Sequence, residues 1–287
     1  MKTFIRYILL VCILFPSVGF SQNKKLEAYR IYNHKGKQVN WKKVIKRAGK
    51  SDIVLLGELH NNALSHWLQL QLITTLYDSI RSIKIGAEMF ETDNQLLIDE
   101  YFQGIISIKS FEAETRLWNN YETDYKPVLE FAKQEKIPFI ATNIPRRYAS
   151  AVYRFGDDFS KDLTEEAKKW ICPLPFYFPR DLSCYQDLLA MTGHGGENLA
   201  KSQAIKDATM AHFILKHYQA GDVFIHLNGN QHSIHKEAIA WYLLKENPAL
   251  NLLNIHTVES KDLKWKEDFK GLADFIFVVD ETIPHTY

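Results

Sequence analysis

Six short apolar runs, at residues 53–56, 83–87, 139–142, 223–227, 252–256 and 275–279, set what this chain can fold into. Several are rich in Ile and Val. Most lack the strict alternation of a sheet with one wet face, which is the pattern of strands covered on both sides. Between them lie helical repeats. Leu68, Leu72, Leu76 and Ile80 recur at four-residue spacing, with Ile73 and Tyr77 alongside, and form one apolar stripe. Further helices are predicted at 94–103, 110–118, 126–136, 147–155, 164–170, 197–219 and 233–247. Strands that alternate with helices predict an α/β fold: a mostly parallel sheet flanked by helices on both faces.

In such sheets ligands gather outside the carboxyl ends of the strands. The first run is followed by Gly57, Glu58, Leu59 and His60, and the second by Glu88, Met89 and Phe90. The third is followed by Asn143, Ile144, Pro145, Arg146 and Arg147, and the fourth by Asn228, Gly229, Asn230, Gln231 and His232. Parallel strands bring these ends to one rim. Polar groups set against apolar strand ends are costly to desolvate unless they are paired or bind something. The expectation is one cleft shared by Glu58, His60, Glu88 and His232, with Asn143 and Arg146 nearby. Plainer roles stay open for each. His60 can be a packing or capping residue, Asn62 is a helix N-cap candidate, and Arg146 either pairs with Glu88 or meets a ligand. His235, one turn beyond His232, is placed on a wet face. Gly57 and Gly229 allow tight turns and close backbone approach.

With 46% hydrophobic and 13% aromatic residues, a chain of 287 residues has the material for a full core. No linker-like stretch or internal repeat divides it. The formal net charge of +1 supplies no basic field for nucleic acid. The run from Lys42 to Arg47 reads as a solvated helix face. Residues 1–21 are expected to be a signal peptide: Lys2 and Arg6 lead, an apolar stretch follows over 7–15, and small residues lie around 17–21. Residues 22–287 then form a single α/β domain in which no transmembrane span is expected. Removing the two basic residues leaves 33 basic (35 − 2) against 34 acidic. Cys12 raises a rival reading, a lipid anchor, although Val11 precedes it where such signals have a small residue. An exported chain retains only Cys172 and Cys184, which are either bridged or two free buried thiols.

Five stretches, GELHNNALSHWLQLQL, GAEMF, WNNYETDYKPVLEFAKQEKIPFIATNIPRR, QAIKDATMA and NGNQH, stand in an order that resembles the ChaN-like family. The resemblance spans residues 52–244. It departs from the family after the second histidine, where AIAWYL stands. The family is associated with bacterial haem binding and iron uptake. It is similar to a wider superfamily of Tiki-type metalloproteases, TraB-like proteins and erythromycin-esterase-like enzymes. By position, the resemblance implies site roles for Glu58, His60, Glu88 and His232.

Two functions follow as expectations. The first is an exported haem-binding protein of the periplasm or cell envelope that serves haem and iron uptake, with envelope transport components as partners. Haem requires an apolar slot, an axial ligand and cations near its propionates. The segment from Cys172 to Gly196 is rich in Pro and Gly and is expected to be an ordered aromatic insertion. Phe176, Tyr177, Phe178 and Met191 would wall the slot and Arg180 would meet a propionate. Tyr121, Tyr125, His60 and His194 are the axial candidates. A flat macrocycle leaves one face uncovered, so the slot would close between two copies as a ligand-linked homodimer. The alternative is a hydrolase in which Glu58, His60, Glu88 and His232 hold a divalent metal ion that activates water, or in which His60 is the base. No serine elbow or cysteine nucleophile context is present.

Overall fold

A computed structural model describes residues 26–80, 82–191 and 196–287. The strands are β1 (Tyr29–Asn33), β2 (Gln38–Val39), β3 (Ile53–Glu58), β4 (Ile83–Glu91), β5 (Phe139–Asn143), β6 (Val223–Gly229), β7 (Leu252–Glu259) and β8 (Phe275–Val279). They form one sheet in the order β2-β1-β8-β7-β3-β6-β4-β5. All neighbours from β8 to β5 pair in parallel. β1 runs antiparallel to both β8 and β2. The six apolar runs are the six parallel strands. The β1–β2 hairpin was not legible because YRIYN buries only Ile31 and Tyr32.

The missing alternation has its cause in burial on two faces. Val54 and Leu56 of β3 point into a core shared with α1 (Trp41–Ala48), α2 (Ala63–Ser79) and α5 (Lys126–Gln134). Ile53 and Leu55 point into the opposite core, with α6 (Arg146–Phe155), α9 (Gly196–His217) and α10 (Ile239–Glu246). α1 presents the Lys42–Arg47 run to solvent and buries Val44 and Ala48. Between β4 and α5 lie α3 (Gln95–Gln103) and α4 (Ile108–Glu114), and α7 (Glu165–Lys168) follows α6. The helix expected at 110–118 starts earlier, capped by the Ser107 hydroxyl, and ends at Glu114. The helix expected at 233–247 is only α10. His235, Lys236 and Ala238 have φ of 57°, 60° and 51°, and left-handed residues interrupt a right-handed helix.

The aromatic insertion is part loop and part helix, α8 (Ser183–Met191). The Glu237 carboxylate organises its start by accepting from the Ser183 hydroxyl and the Cys184 amide, each at 2.8 Å. Cys172 and Cys184 are both free and buried, in separate clusters, so no bridge closes this segment. The signal-peptide expectation, Cys12 and His194 lie outside the described residues. Among the described residues no helix is long and apolar enough to cross a membrane.

Candidate functional site

β6 lies between β3 and β4, and β5 flanks β4, so the four runs with polar ends are adjacent strands. Glu58 stands level with Gly229 in the β3–β6 register. Ala87 of β4 pairs with Ala141 of β5, and the next pair is Glu91 with Asn143. Glu88, Met89 and Phe90 therefore face Thr142 alone, a bulge that re-aims side chains. β4 thus runs past Ala87, and Glu88 lies inside the strand at its irregularity. The rim holds a cleft of about 490 Å³ lined by His60, Glu88, Glu91, Trp118, Asn143, Ile144, Arg146, Gln203, Lys206 and His232.

Glu58 is fully committed to the protein. Its Oε1 lies 2.9 Å from His60 Nδ1 and accepts from the Tyr125 hydroxyl at 2.7 Å. Its Oε2 accepts from Gln69 Nε2 at 2.6 Å, with His66 Nδ1 at 3.6 Å. Burial pushes the Glu58 carboxyl up, but His66, His60 and the Tyr125 hydroxyl outweigh it and hold the group below its ordinary value. The same contact acts in reverse on His60: burial lowers it, and Glu58 with Glu88 raises it above the usual imidazole. His60 lines the cleft beside Trp118, whose ring centroid lies 5.0 Å away, and its Nε2, set against Gly229, makes no hydrogen bond among the described residues. The His60 carbonyl accepts from Asn120 Nδ2 at 2.8 Å and lies 3.0 Å from His66 Nε2. Asn120 also donates to Asp124, which further accepts from the Thr286 hydroxyl at 2.8 Å. Asp124 and Tyr125 belong to one π-helical turn, Tyr121–Tyr125, of the kind that recurs at functional sites. Asn62 caps α2 just beyond, accepting from the Ser65 amide.

Opposite stands a buried relay of two carboxylates and an imidazole. His232 Nδ1 lies 2.5 Å from Asp207 Oδ1, and its Nε2 lies 3.2 Å from Glu88 Oε1. The other Glu88 oxygen accepts from the Gly229 amide at 2.7 Å, and the other Asp207 oxygen from the Tyr185 hydroxyl at 2.7 Å. Burial works against charge on His232, yet Glu88 and Asp207 carry it up to about 10. It is an imidazolium at neutral pH. Burial alone would raise Glu88; His232 reverses that and holds it well below the carboxylate range. Burial dominates at Asp207 and leaves it raised.

The four residues expected at the rim are thus neighbours, as two carboxylate–imidazole pairs rather than one ring of ligands. Among the described residues no group of three or more His, Cys, Asp or Glu side chains is placed to hold a metal ion. Both His232 nitrogens and all four oxygens of Glu58 and Glu88 face protein partners, so the set does not fit a divalent ion. Asn143 lines the cleft with its amide oxygen buried and without a partner among the described residues. Arg146 is paired, with Glu91 at 2.8 Å rather than with Glu88, and Glu91 also takes Arg116.

Several expected ligand contacts lie elsewhere. Tyr121 is buried against Phe90 in the core, and Tyr125 is turned to Glu58; neither lines the cleft. Phe176 walls a separate apolar cavity with Tyr177, His212 and Tyr242, between the insertion and helices α9 and α10. Phe178 packs on Tyr185, and Arg180 faces Glu197 at 3.4 Å. The insertion does border the site, but through α8: Cys184, Tyr185, Asp187 and Leu188 wall a chamber that meets the cleft at Gln203 and His232. The reading of the residues overlooked Asp207, Gln69, His66, Tyr185 and Trp118. Asp207 had a signal, a carboxylate at helical spacing between Ala204 and Ala211 on the apolar face of α9.

Comparison with known proteins agrees with this architecture. A Campylobacter jejuni ChaN structure, described as showing cofacial haem binding, has the same fold at a TM-score of 0.67 and 16% identity, covering 88% of this chain and 98% of that one. A succinoglycan biosynthesis protein matches at 0.50 and 12%, covering 85% and 91%. An erythromycin esterase gives 0.48 and 12%, covering 81% and 77%. Among curated proteins no match to the sequence is found. The family model described as haem-binding uptake, Tiki superfamily, ChaN, matches residues 44–243, well over half the chain. The protein belongs to this ChaN family.

Proposed function

We propose that this is an exported haem-binding protein of bacterial haem and iron uptake, and that His60 is the residue offered to the iron. One observation carries this reading: Glu58 fixes His60 through Nδ1, and the ring lines the cleft with its Nε2 free of any hydrogen bond among the described residues. A carboxylate that holds the far nitrogen of an imidazole sets its tautomer and strengthens the near one as a ligand. The cleft also offers the apolar side chains of Trp118 and Ile144 and the cations Arg146 and Lys206. Bound haem would supply an iron centre with an absorption band that reports its ligand. Tyr121 and Tyr125 drop out of that role because neither hydroxyl reaches the cleft. Cofacial binding, described for the Campylobacter protein, would cover the open face of each macrocycle by a second copy and link dimerisation to haem. Residues 1–21 would serve as the export signal for a single domain over 22–287.

The test is a haemin titration of residues 22–287 followed at the Soret band, with sedimentation of the free and loaded forms. Binding with a Soret position that changes in His60→Ala, together with haem-dependent dimerisation, is the expected result. A second reading rests on the buried Asp207–His232–Glu88 relay, which ligation alone does not require. It makes His60 a general base that takes a proton from water, oriented by Glu58, with the relay holding Glu88 and the Gly229 turn in place beside it. Absence of any Soret change, with ester hydrolysis lost in His60→Ala, would decide for that enzyme.

A further inference from the structure

Beyond β8 the chain crosses back over the turn that carries His60. His285 forms an isolated antiparallel bridge with Asn62. The Thr286 amide donates to the Asn61 carbonyl at 2.9 Å. Glu259 of β7 ties the two segments together. Its Oε1 accepts from Asn62 Nδ2 at 2.8 Å and lies 3.2 Å from His285 Nε2.

Thr286 also reaches His60 by a second route. Its hydroxyl donates to Asp124 Oδ2 at 2.8 Å, and the same oxygen accepts from Asn120 Nδ2 at 2.6 Å. That amide nitrogen has two hydrogens, and it also donates to the His60 carbonyl at 2.8 Å. Asp124 is buried, so the way its oxygens are satisfied decides where Asn120 can lie. One residue therefore acts on two consecutive carbonyls, on Asn61 directly and on His60 through Asp124 and Asn120. Around it, Glu281, Thr282, Pro284, His285 and Tyr287 are exposed, and only Ile283 and Thr286 are partly buried. A segment with so few buried contacts adds little to global stability. Its one inward hydroxyl is nevertheless spent beside the site.

We propose that Thr286 is a positioning residue of the cleft, which sets the imidazole of His60 by fixing the two peptide groups that follow it. The inference deepens the proposed function, because it rests on His60 as the working group of the site. Glu58 Oε1 meets His60 Nδ1 at 2.9 Å only while the turn holds the ring there. Partners that orient a ligating imidazole from behind commonly change affinity by about tenfold or more, and Thr286 stands one step further out.

The experiment uses residues 22–287 with isotope-labelled histidine, as wild type and as three variants of one residue. Thr286→Val removes the hydroxyl route, Thr286→Pro removes both routes, and Thr286→Ser keeps both. The ring nitrogens of His60, identified by the signals lost in His60→Ala, are followed by NMR without ligand, and haemin affinity is followed at the Soret band. Thr286→Val and Thr286→Pro should move the His60 ring signals and weaken haemin by about three- to tenfold, with the larger effect in Thr286→Pro. Thr286→Ser should match the wild type in both. The thermal midpoint should stay unchanged throughout, whereas a merely structural contact would lower it and leave the ring signals alone. Ring signals unmoved in Thr286→Pro, or haemin bound equally by Thr286→Pro and the wild type, would overturn the proposal while leaving haem binding intact. If haemin changes the Soret band of none of these proteins, the haem reading falls and the ring signals alone decide: moved in Thr286→Pro, they uphold the positioning role; unmoved, they end it.

Discussion

His60 Nε2 occupies the space into which a side chain on Gly229 would have to grow: a β-carbon built on Gly229 falls 2.6 Å from that nitrogen. Strand β6 thus sets where the imidazole just after β3 can lie. Gly229→Ala should force the ring away, at a cost of about 1–3 kcal/mol for overpacking. Urea denaturation reads the cost, and the haem spectrum of Gly229→Ala should move as that of His60→Ala does. An unchanged spectrum would separate Gly229 from the ligand.

Tyr125 acts on the site through Glu58. Its hydroxyl donates to a buried carboxylate, a bond worth about 1.5–3 kcal/mol. Tyr125→Phe should lower stability by an amount at the lower end of that range, because His60 and Gln69 still serve the carboxylate. It should also weaken haem binding without altering the Soret position. A shifted band would instead make Tyr125 itself an iron ligand.

Stability should pass through a maximum near neutral pH, with a separate cause on each side. His232 is raised to about 10 by Glu88 and Asp207 once burial is overcome. Its contribution is fully present below the unfolded imidazole value near 6.5 and is lost as pH rises from there to about 10, at about 1.4 kcal/mol per pH unit. His226 and His256 are lowered to about 4, by burial first. The unfolded chain takes up their protons as pH falls below 6.5 and the folded chain does not, so stability drops between 6.5 and about 4. Urea midpoints across pH measure both limbs. His232→Gln should flatten the alkaline limb and His256→Gln should reduce the acid one; unchanged slopes would refute the assignments.

The two cysteines should be silent in the folded state. Burial pushes Cys172 up to about 12 and Cys184 higher still, aided by Asp207 and Glu237. Residues 22–287 should give no reaction with an aromatic disulfide reagent until unfolded, and then two thiols. A reductant should leave the thermal midpoint unchanged, whereas a bridge would make it fall.

The parallel sheet could be read from the sequence because strands covered on both faces leave unbroken apolar runs, and the rim could be read because Glu58, His60, Glu88 and Asn228–His232 follow those runs directly. Partner assignments could not. Glu58 meets Gln69 and Tyr125, and His232 meets Asp207, through approaches that exist only once α2, the π-helical turn before α5, and α9 have packed on the sheet. Arg146 was expected to pair with Glu88 or to meet a ligand, and the bulge in β4 gave it Glu91 instead. α8 was hidden because its capping group, Glu237, is supplied from a distant turn.

The place of β6 between β3 and β4 has a kinetic side. β3 and β4 are made early in the chain, yet no backbone bond joins them; each waits for Val223–Gly229 to arrive between them. Pairs such as Ile53 with Phe224 are very long-range in sequence, and contacts of that kind slow folding. Until β6 inserts, two apolar strands present open edges, and neither Gly229 nor His232 is near Glu88. A nascent or truncated product that stops before β6 is therefore both site-less and prone to pair with other chains.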